Sequence, residues 1–436
     1  MSTTKVPNIT ELKEVILELL RSEGLEYSCF SEILNYSLDL FNKENLDSRY
    51  YHNASHELVV THNLLIASKE NDFQGVISND DFKHLFAAAL FHDYEPEKTK
   101  DKPHEEIAAN FVTTDRNLLS LFKQGKIDPY VVAVLILRTT YPWEQNKDKL
   151  QPMIADYFSK SKYANDEKMQ EHVDYLGWYM SVADRIGAYS LGDFLDAMEL
   201  AKKNAHSLGW DPQYLVRRSI SFFEKLLDGE EAMTDQVMRS LPTAMRKTFM
   251  ENVIGFYQLR QIELEVKSSI QYDKIELIPK FEENTIDDDF AKKLFDIYDE
   301  LPDPLQFKRT TFFESLKDPE TILITLRLSS NDELIGFAKG GPLESYSLPS
   351  SIKDENYGKT NTIFMEPIAL KMGYWGQGGG PKLRKIFKDI AKQREYEFVT
   401  SLQLREVIQN RIKRKENIEF VQQLDPERLD YFRVIL

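Results

Sequence analysis

The residue pattern of this chain changes near residue 270, and the change indicates two kinds of domain in series. All eight histidines lie before residue 207, and apolar residues up to about residue 267 recur with the 3.6-residue period of amphipathic helices. After Ser268, short strand-like runs replace this period. A chain of 436 residues is long enough for each domain to bury its own core. We therefore expect an all-α helical bundle over residues 1–270 and an α/β (α+β) domain over residues 271–436.

The expected elements follow from these two periods. In the first half we expect helices over residues 10–22, 32–43, 81–91, 105–112, 130–140, 176–188, 214–227 and 244–266. In the second half we expect strands over residues 275–278, 321–328, 333–339, 361–370 and 397–402, and helices over residues 288–298 and 382–394. Residues 329–332 have the composition of a hairpin turn between two of these strands. The second domain should therefore hold a mixed, largely antiparallel sheet.

Histidines and aspartates stand within otherwise apolar segments of the first half. The segments are Tyr51-His52-Asn53-Ala54-Ser55-His56, Phe91-His92-Asp93 and Ala183-Asp184-Arg185. A divalent cation that keeps positions open for water or phosphate needs only a few fixed ligands, and a mixed imidazole and carboxylate set supplies them. The predicted metal ligands are His56, His92, Asp93 and Asp184. The ion would be Mn, Mg, Fe or Zn, and there would be one ion or two.

His52 precedes His56 by one helical turn and lies on the same face of the predicted helix. Beside the metal, its imidazole is placed to protonate a leaving oxygen. Asp184 lies in an apolar stretch, where a buried carboxylate needs a partner. The alternatives are that the two histidines only cap a helix or fill the core, and that Asp184 is an N-cap or pairs with Arg185.

At these residues the chain resembles the HD-domain superfamily, in particular its cyclic-nucleotide phosphodiesterase branch. The resemblance implies a metal-dependent phosphohydrolase acting on a nucleotide or cyclic-nucleotide phosphate ester through a metal-bound hydroxide, with His52 as the general acid. After His92-Asp93 that family has a further His and a Pro-Gly, whereas this chain continues Tyr94-Glu95-Pro96. His104 and Glu105 are the candidates to fill part of this gap beside the metal. A surface position at a helix start is the favoured alternative for His104.

A glycine-rich segment in the second half follows a predicted strand and opens a predicted helix. It comprises Gly376, Gln377, Gly378, Gly379 and Gly380, and Pro381 follows in the first helical turn. Backbone N–H groups at such a turn are presented to an anion such as a pyrophosphate. The alternative is a glycine turn that only shapes the connection between a strand and a helix.

Here the chain resembles the GNAT family of N-acetyltransferases, and the resemblance covers residues 275–436. It implies acetyl-CoA as the cofactor, held at the glycine-rich loop, and an amine as the acceptor. Trp375 stands where the family has an Arg or a Gln, and no Tyr occurs over residues 411–415, where many members place their general acid. Glu366 is then the candidate base for acetyl transfer, and Tyr431 is a distant candidate acid.

Four functions remain open at this stage. We place phosphate-ester hydrolysis first and acetyl transfer second. The GNAT-like domain is alternatively an acyl-CoA-sensing module that regulates the hydrolase. In the fourth alternative both domains are degenerate and the protein is a scaffold.

Composition excludes several other classes of partner. A net charge of -16 argues against a broad nucleic-acid surface or an anionic membrane surface. The single cysteine, Cys29, excludes an internal disulfide framework and fits a reducing cytoplasm. No apolar run approaches the length of a membrane span. We therefore expect a cytoplasmic protein with a small phosphorylated substrate, and the sequence leaves the oligomeric state open.

Overall fold

The computed structural model describes residues 8–25, 27–43, 51–95, 105–282, 286–424 and 428–436. The chain forms two compact units, which we call the helical unit (Met1–Leu208 with Arg218–Gly255) and the sheet unit (Gly209–Arg217 with Phe256–Leu436). The expected boundary at residue 270 lies within one continuous helix, Thr243–Gln271. Because that helix is unbroken, no local sequence signal marks the place where its packing changes. The division of the chain into domains at residues 1–270 and 271–436 stays a prediction.

The first part of the chain is all-α over its described residues, as predicted. The helices are α1 Ile9–Ser22, α2 Tyr27–Lys43, α3 Ala54–Ala67, α4 Asn79–Phe91, α5 Glu105–Thr114, α6 Arg116–Gly125, α7 Pro129–Arg138, α8 Trp143–Lys160, α9 Glu167–Gly187, α10 Phe194–Ser207, α11 Leu215–Glu224, α12 Glu231–Ser240 and α13 Thr243–Gln271. The sequence did not predict α6, α8, α10 and α12. In α8 only Leu150, Ile154 and Phe158 are buried, and Pro152 lies inside the helix, where a proline usually indicates an end.

Two helices form the centre of the helical unit. Every residue of α4 from His84 to Phe91 is buried, and so is every residue of α7 from Val131 to Arg138. A helix that is apolar on all sides must be surrounded by other helices, and α3, α7 and α9 pack against α4. The polar residues at the ends of these central helices are therefore held close to the core.

The second part of the chain is a sheet flanked by helices. Its strands are β1 Leu277–Phe281, β2 Ile322–Leu328, β3 Leu334–Pro342, β4 Thr362–Met365, β5 Ala369–Leu370, β6 Phe398–Leu404, β7 Glu419–Leu424 and β8 Leu429–Ile435, and its helices are α14 Asp288–Tyr298, α15 Arg309–Lys317, α16 Gly379–Gln393 and α17 Arg405–Lys413. The strand order is β1-β2-β3-β4-β6-β8-β7, with β5 also paired to β3. Among these pairs β4 and β6 are parallel and the others are antiparallel, which confirms the predicted mixed, largely antiparallel sheet.

Strand β2 shows why helices cover both faces of this sheet. Ile322, Ile324 and Leu326 belong to the core that α16 covers. Leu323, between them, packs in a second core with residues of α14 and α15. Side chains alternate between the faces of a strand, so an uninterrupted apolar run needs cover on both.

The predicted strand over residues 361–370 is broken into β4 and β5, which corrects that expectation. Gly340 pairs with Met365, and Gly336 pairs with Leu370. Five residue steps on one strand therefore oppose four on the other, which is the pattern of a β-bulge. Pro367 lies in the break and has no N–H to donate to a ladder. Glu366 is the first residue after β4, so the bulge lies at the predicted base.

Candidate metal centre and acyl-CoA site

Asn53 determines where α3 begins and therefore where His56 lies. Its side-chain oxygen accepts hydrogen bonds from the backbone N–H groups of Ser55 and His56, at 3.1 and 3.2 Å. This is N-capping, in which a short polar side chain satisfies the first free donors of a helix. His56 is thus held in the first turn of α3, with His52 just before the helix.

His92 and Asp93 lie immediately after α4 rather than within it. His92 is the C-cap residue, and Asp93 is in the turn that follows. The apolar run 85–91 therefore delivers the dipeptide to the interior at the C-terminal end of α4.

Asp184 comes from α9, which lies close against α3. A side chain at Gly187 would meet Asn63, because its Cβ would lie 2.8 Å from Asn63 Nδ2. Asn63 Nδ2 also donates to the carbonyl oxygen of Gly187 at 3.2 Å. The absence of a side chain at Gly187 permits this close packing, three residues from Asp184. Arg185 pairs with Glu230 at 2.8 Å, and Asp184 lies instead beside His56.

The predicted metal-ligand residues come together in the fold. One ring nitrogen of His56, one of His92 and one carboxylate oxygen of Asp93 lie within 4.8 Å of one another. His56 Nε2 and His92 Nε2 are each 3.4 Å from Asp93 Oδ2. Asp184 Oδ1 is 3.4 Å from His56 Nε2, although Asp184 is outside the group of three. The ligand assignment of each residue stays a prediction.

His52 lies at the margin of this cluster. Its Nε2 is 3.8 Å from Asp93 Oδ2, and its side chain is 10% exposed. Its ring centroid is 4.8 Å from that of Tyr51 and 5.8 Å from that of His56. An imidazole beside the ligand group, rather than within it, retains a nitrogen that can hold a proton for a substrate.

The three imidazoles and the carboxylates strongly influence one another's protonation. Burial alone would raise the pKa of Asp93, but the charges of His92, His52 and His56 hold that pKa well below its usual range. Burial lowers the pKa of His92, yet the nearby carboxylates of Asp93 and Glu57 outweigh it and hold the pKa well above its usual value. A cation that binds here must therefore displace protons from the imidazoles.

Glu57 is a residue of the site that sequence reasoning missed. Its Oε2 lies 2.8 Å from His92 Nδ1, and its side chain is only 1% exposed. Burial raises the pKa of Glu57, and His92 offsets that shift only in part. A carboxylate behind a metal-binding imidazole fixes its tautomer and raises its basicity. The available signal was a glutamate directly after His56 and directly before the apolar residues Leu58, Val59 and Val60.

The residues of the cluster fit a divalent metal ion. Two imidazole nitrogens and a carboxylate oxygen are a donor set of suitable chemistry, and all three residues have nearly buried side chains. His92 Nε2 has no hydrogen-bond partner within the described part of the chain, although it faces Asp93. His92 Nδ1 is 2.9 Å from the carbonyl oxygen of Ala89, which requires a proton on Nδ1 and leaves Nε2 for a ligand bond.

Two further residues, His104 and Glu105, were predicted to lie beside the metal. His104 lies outside the described residues. Glu105 is the first residue of α5 and is buried. It is not part of the group formed by His56, His92 and Asp93.

The glycine-rich loop of the sheet unit ends at the N-terminus of α16. Gly378 is the N-cap, with φ of 87° and no side-chain cap. A Cβ at Gly378 would meet nothing within 4 Å, whereas one at Gly379 would lie 2.6 Å from Leu326 Cδ2. The open side of the loop therefore leaves the first N–H groups of α16 accessible to an anion. Gly376 and Gln377 precede it, and Gly380 lies in the first turn of α16.

Trp375 makes a structural contact in place of the anion contact expected of an Arg or Gln. Its Nε1 donates to the carbonyl oxygen of Leu370 at 2.7 Å. A cation close to these glycines is Arg384, whose Nη1 would lie 3.3 Å from a Cβ at Gly380. The loop thus has a basic side chain on α16 instead of one before the glycines.

Glu366, the predicted base, is in a buried ion pair. It is 2% exposed, and its Oε1 contacts the ammonium group of Lys339. Tyr346 donates a hydrogen bond to the same oxygen at 2.9 Å. The pairing of β4 with β6 ends at Phe364 and Thr400, so Glu366 lies where the two parallel strands stop pairing.

Tyr431, the distant candidate acid, is also buried. Its hydroxyl donates to Asp354 Oδ2 at 2.9 Å. Burial raises the pKa of Tyr431 above its usual value, and the Asp354 carboxylate adds to this. The role of Tyr431 as an acid stays a prediction.

Comparison with known proteins places the sheet unit in a family. Residues 284–411 match the model of the acetyltransferase (GNAT) family. The chain therefore carries a C-terminal GNAT domain. No curated protein sequence matches the chain.

Among the described residues, no helix is both long enough and apolar enough to cross a membrane.

Solved structures are similar to each half of the chain. The N-terminal region is similar to the phosphodiesterase domain of the Salpingoeca rosetta rhodopsin phosphodiesterase, with 12% identity over 61% of this chain and 92% of that chain and a TM-score of 0.42. A domain from Methanocaldococcus jannaschii has 12% identity over 37% of this chain and 100% of that chain, with a TM-score of 0.28. An acetyltransferase of the GNAT family from Staphylococcus aureus has 10% identity over 36% of this chain and 99% of that chain, with a TM-score of 0.27.

Proposed function

We propose that the helical unit is a metal-dependent phosphohydrolase acting on a phosphate ester of a nucleotide. The observation that carries this proposal is the buried group of His56, His92 and Asp93, with Asp184 beside His56 and His52 at the margin. Burying carboxylates and imidazoles this close together lowers the stability of the fold unless they pair with one another or bind a cation. The Tyr51-His52-Asn53 sequence favours a nucleotide substrate through its family resemblance.

Each residue has a defined part in this proposal. His56, His92, Asp93 and Asp184 would hold the ion. A bound divalent cation supplies Lewis-acid activation of water and neutralises phosphate charge. His52 holds a proton on Nε2, near Asp93, and donates it to the oxygen that leaves phosphorus. Glu57 holds the His92 ring through Nδ1, so that Nε2 faces the ligand group.

The test compares two buried Asp–His contacts of the helical unit. Protein purified without chelator is analysed for metal content and for hydrolysis of an aryl phosphodiester and a nucleotide panel. Asp93→Asn should lose both the metal and the hydrolysis. Asp81→Asn is the matched control, since Asp81 is also buried and lies 3.1 Å from His172, outside the cluster.

Retention of stoichiometric metal by Asp93→Asn would contradict the ligand assignment. Wild-type protein that binds no metal, and hydrolyses nothing after Mn or Mg is added, would overturn the hydrolase.

We further propose that the sheet unit binds acetyl-CoA and transfers its acetyl group to an amine. The GNAT family match and the uncapped N-terminus of α16 at Gly378 support this second function. Gly378, Gly379 and Gly380 would hold the pyrophosphate through backbone N–H groups. In the transfer a C–N bond forms, the thioester C–S bond breaks, and the proton lost by the nitrogen ends on the sulfur.

Two glycines of the sheet unit allow a matched test of the cofactor site. Gly378 and Gly358 both have φ of 87°, and a Cβ at either would meet nothing within 4 Å. The substitutions Gly378→Ala and Gly358→Ala therefore each place a Cβ at a positive φ that favours glycine. Calorimetric titration with acetyl-CoA should show at least tenfold weaker binding for Gly378→Ala alone. Equal affinities in the two variants would argue against the loop as the pyrophosphate site.

A further inference from the structure

A cleft in the sheet unit lies directly beside the buried Glu366 ion pair. It has a volume of about 160 Å³. Its lining includes Glu314, Ser315, Asp318, Gly341, Ser345 and Tyr346. Glu314 and Ser345 are exposed, whereas Gly341 and Tyr346 are buried, so the former lie at the rim and the latter at the floor.

The lining of this cleft is acidic. Glu314 and Asp318 contribute carboxylates, and no lysine or arginine is among the lining residues. The other polar lining groups are hydroxyls, including those of Thr311 and Thr321. Two carboxylates at one opening, with no lysine or arginine among the lining residues, make the potential there favourable for a positively charged ligand. The ammonium group of Lys339, which contacts the Ser315 hydroxyl, is buried and paired with Glu366.

The floor of the cleft is hydrogen-bonded to Glu366. Tyr346 donates to Glu366 Oε1 at 2.9 Å, and Ser315 Oγ is 3.4 Å from the same oxygen. Burial raises the pKa of Tyr346 well above its usual value, and the Glu366 carboxylate adds to the shift, so the hydroxyl keeps its proton. Glu366 itself lies where β4 and β6 stop pairing. A lining side chain of the cleft thus contacts the carboxylate that lies just beyond the paired strands.

We infer that this cleft binds the acyl acceptor, and that the acceptor is a small aliphatic diamine. One end of such a molecule is an ammonium group that interacts with Glu314 and Asp318 at the rim. The other end reaches the hydroxyls of Ser315 and Tyr346 as the nitrogen that is acylated. This inference rests on the proposed acetyl transfer, to which it adds the class of acceptor.

Direct binding tests the cleft separately from catalysis. The full-length protein is titrated by calorimetry with 1,4-diaminobutane, with butylamine and with 4-aminobutyrate. Butylamine lacks the second ammonium group, and 4-aminobutyrate replaces it with a carboxylate. We expect the diamine to bind at least tenfold more tightly than either of the others.

A pair of double variants identifies the responsible carboxylates. Glu314→Gln with Asp318→Asn should weaken diamine binding at least tenfold. Asp389→Asn with Glu395→Gln is the control, because it removes the same charge from two exposed residues of the same unit that do not line the cleft. The control should bind the diamine as wild type does.

The outcomes separate this inference from the transferase proposal. Equal affinity for diamine and monoamine, or unchanged affinity in the cleft variant, would overturn the diamine site even if acetyl-CoA binds. Selective diamine binding without any acetyl-CoA binding would support the cleft and contradict acetyl transfer. Weaker diamine binding in the control variant as well would show that net charge, not the cleft, is responsible.

Discussion

Glu57 and His92 are joined by a contact of 2.8 Å between Oε2 and Nδ1, and both side chains are almost completely buried. The same Nδ1 is 2.9 Å from the carbonyl oxygen of Ala89. Both partners are acceptors, so Nδ1 carries the proton and Nε2 faces Asp93 at 3.4 Å. The Ala89 carbonyl and the Glu57 carboxylate together therefore determine which nitrogen of His92 is offered to the ligand group.

Removing this carboxylate should weaken metal binding. We expect Glu57→Ala to raise the Kd of Mn or Zn about 10- to 100-fold, because the imidazole loses orientation and basicity. Glu57→Gln keeps an acceptor for Nδ1 and should have a smaller effect. Competition with a metal-sensitive dye measures both. Identical affinities for wild type and Glu57→Ala would show that the Ala89 carbonyl alone is sufficient.

Metal removal should destabilise the wild-type protein. A ligand that binds only the folded state at about 100 times its Kd adds about 2.7 kcal/mol to the free energy of unfolding. Chelation should therefore lower the Tm of the first unfolding transition of the wild type. Asp93→Asn should show no such difference. A chelator effect of equal size in both proteins would place the bound metal elsewhere.

The titration of His84 should lower the free energy of unfolding in mild acid. Burial, and then the charge of Lys162, lower the pKa of His84 to about 4 from its usual 6.5. Between these values the unfolded chain binds a proton that the folded chain does not, so stability is present above pH 6.5 and decreases as pH falls. We expect a loss of about 2 kcal/mol between about pH 7 and pH 5.

His84→Gln supplies the control for that loss. In the wild type, His84 Nε2 accepts a hydrogen bond from the Asp128 backbone N–H at 3.0 Å, and Nδ1 contacts the Asp80 carbonyl oxygen. A glutamine offers one acceptor and one donor but does not titrate. Urea unfolding at both pH values should show a smaller pH effect in the variant. An equal loss in both proteins would mean that other groups cause it.

Removing one partner of the buried Lys339–Glu366 pair should lower the free energy of unfolding more than replacing both partners with apolar residues. Both side chains are at most 2% exposed. Lys339→Met leaves a buried carboxylate uncompensated and should destabilise the sheet unit by about 3–5 kcal/mol. Adding Glu366→Leu should recover much of that loss. Denaturant unfolding of both variants measures the difference, and a double variant as unstable as the single one would contradict this account.

Several features of the two folds were predictable because they depend on local sequence. The 3.6-residue period located helices such as α1 and α9, and the run over residues 321–328 predicted β2 almost to the residue. The hairpin at residues 329–332 followed from its turn residues. Helix α8 was not predicted in this way, because Pro152 lies inside it and a proline usually indicates a helix end.

The sequence by itself determined the helical and α/β character of the two parts and the chemical types at the candidate sites. Only the tertiary structure decided how these residues meet. Glu57 is one residue from His56 in sequence, but its contact with His92 depends on the packing of α3 against α4. Likewise, Glu366 acquires Lys339 as a partner because β3 and β4 are neighbours in the sheet. Distances between distant segments arise from packing of whole elements, and local residue patterns carry no record of them.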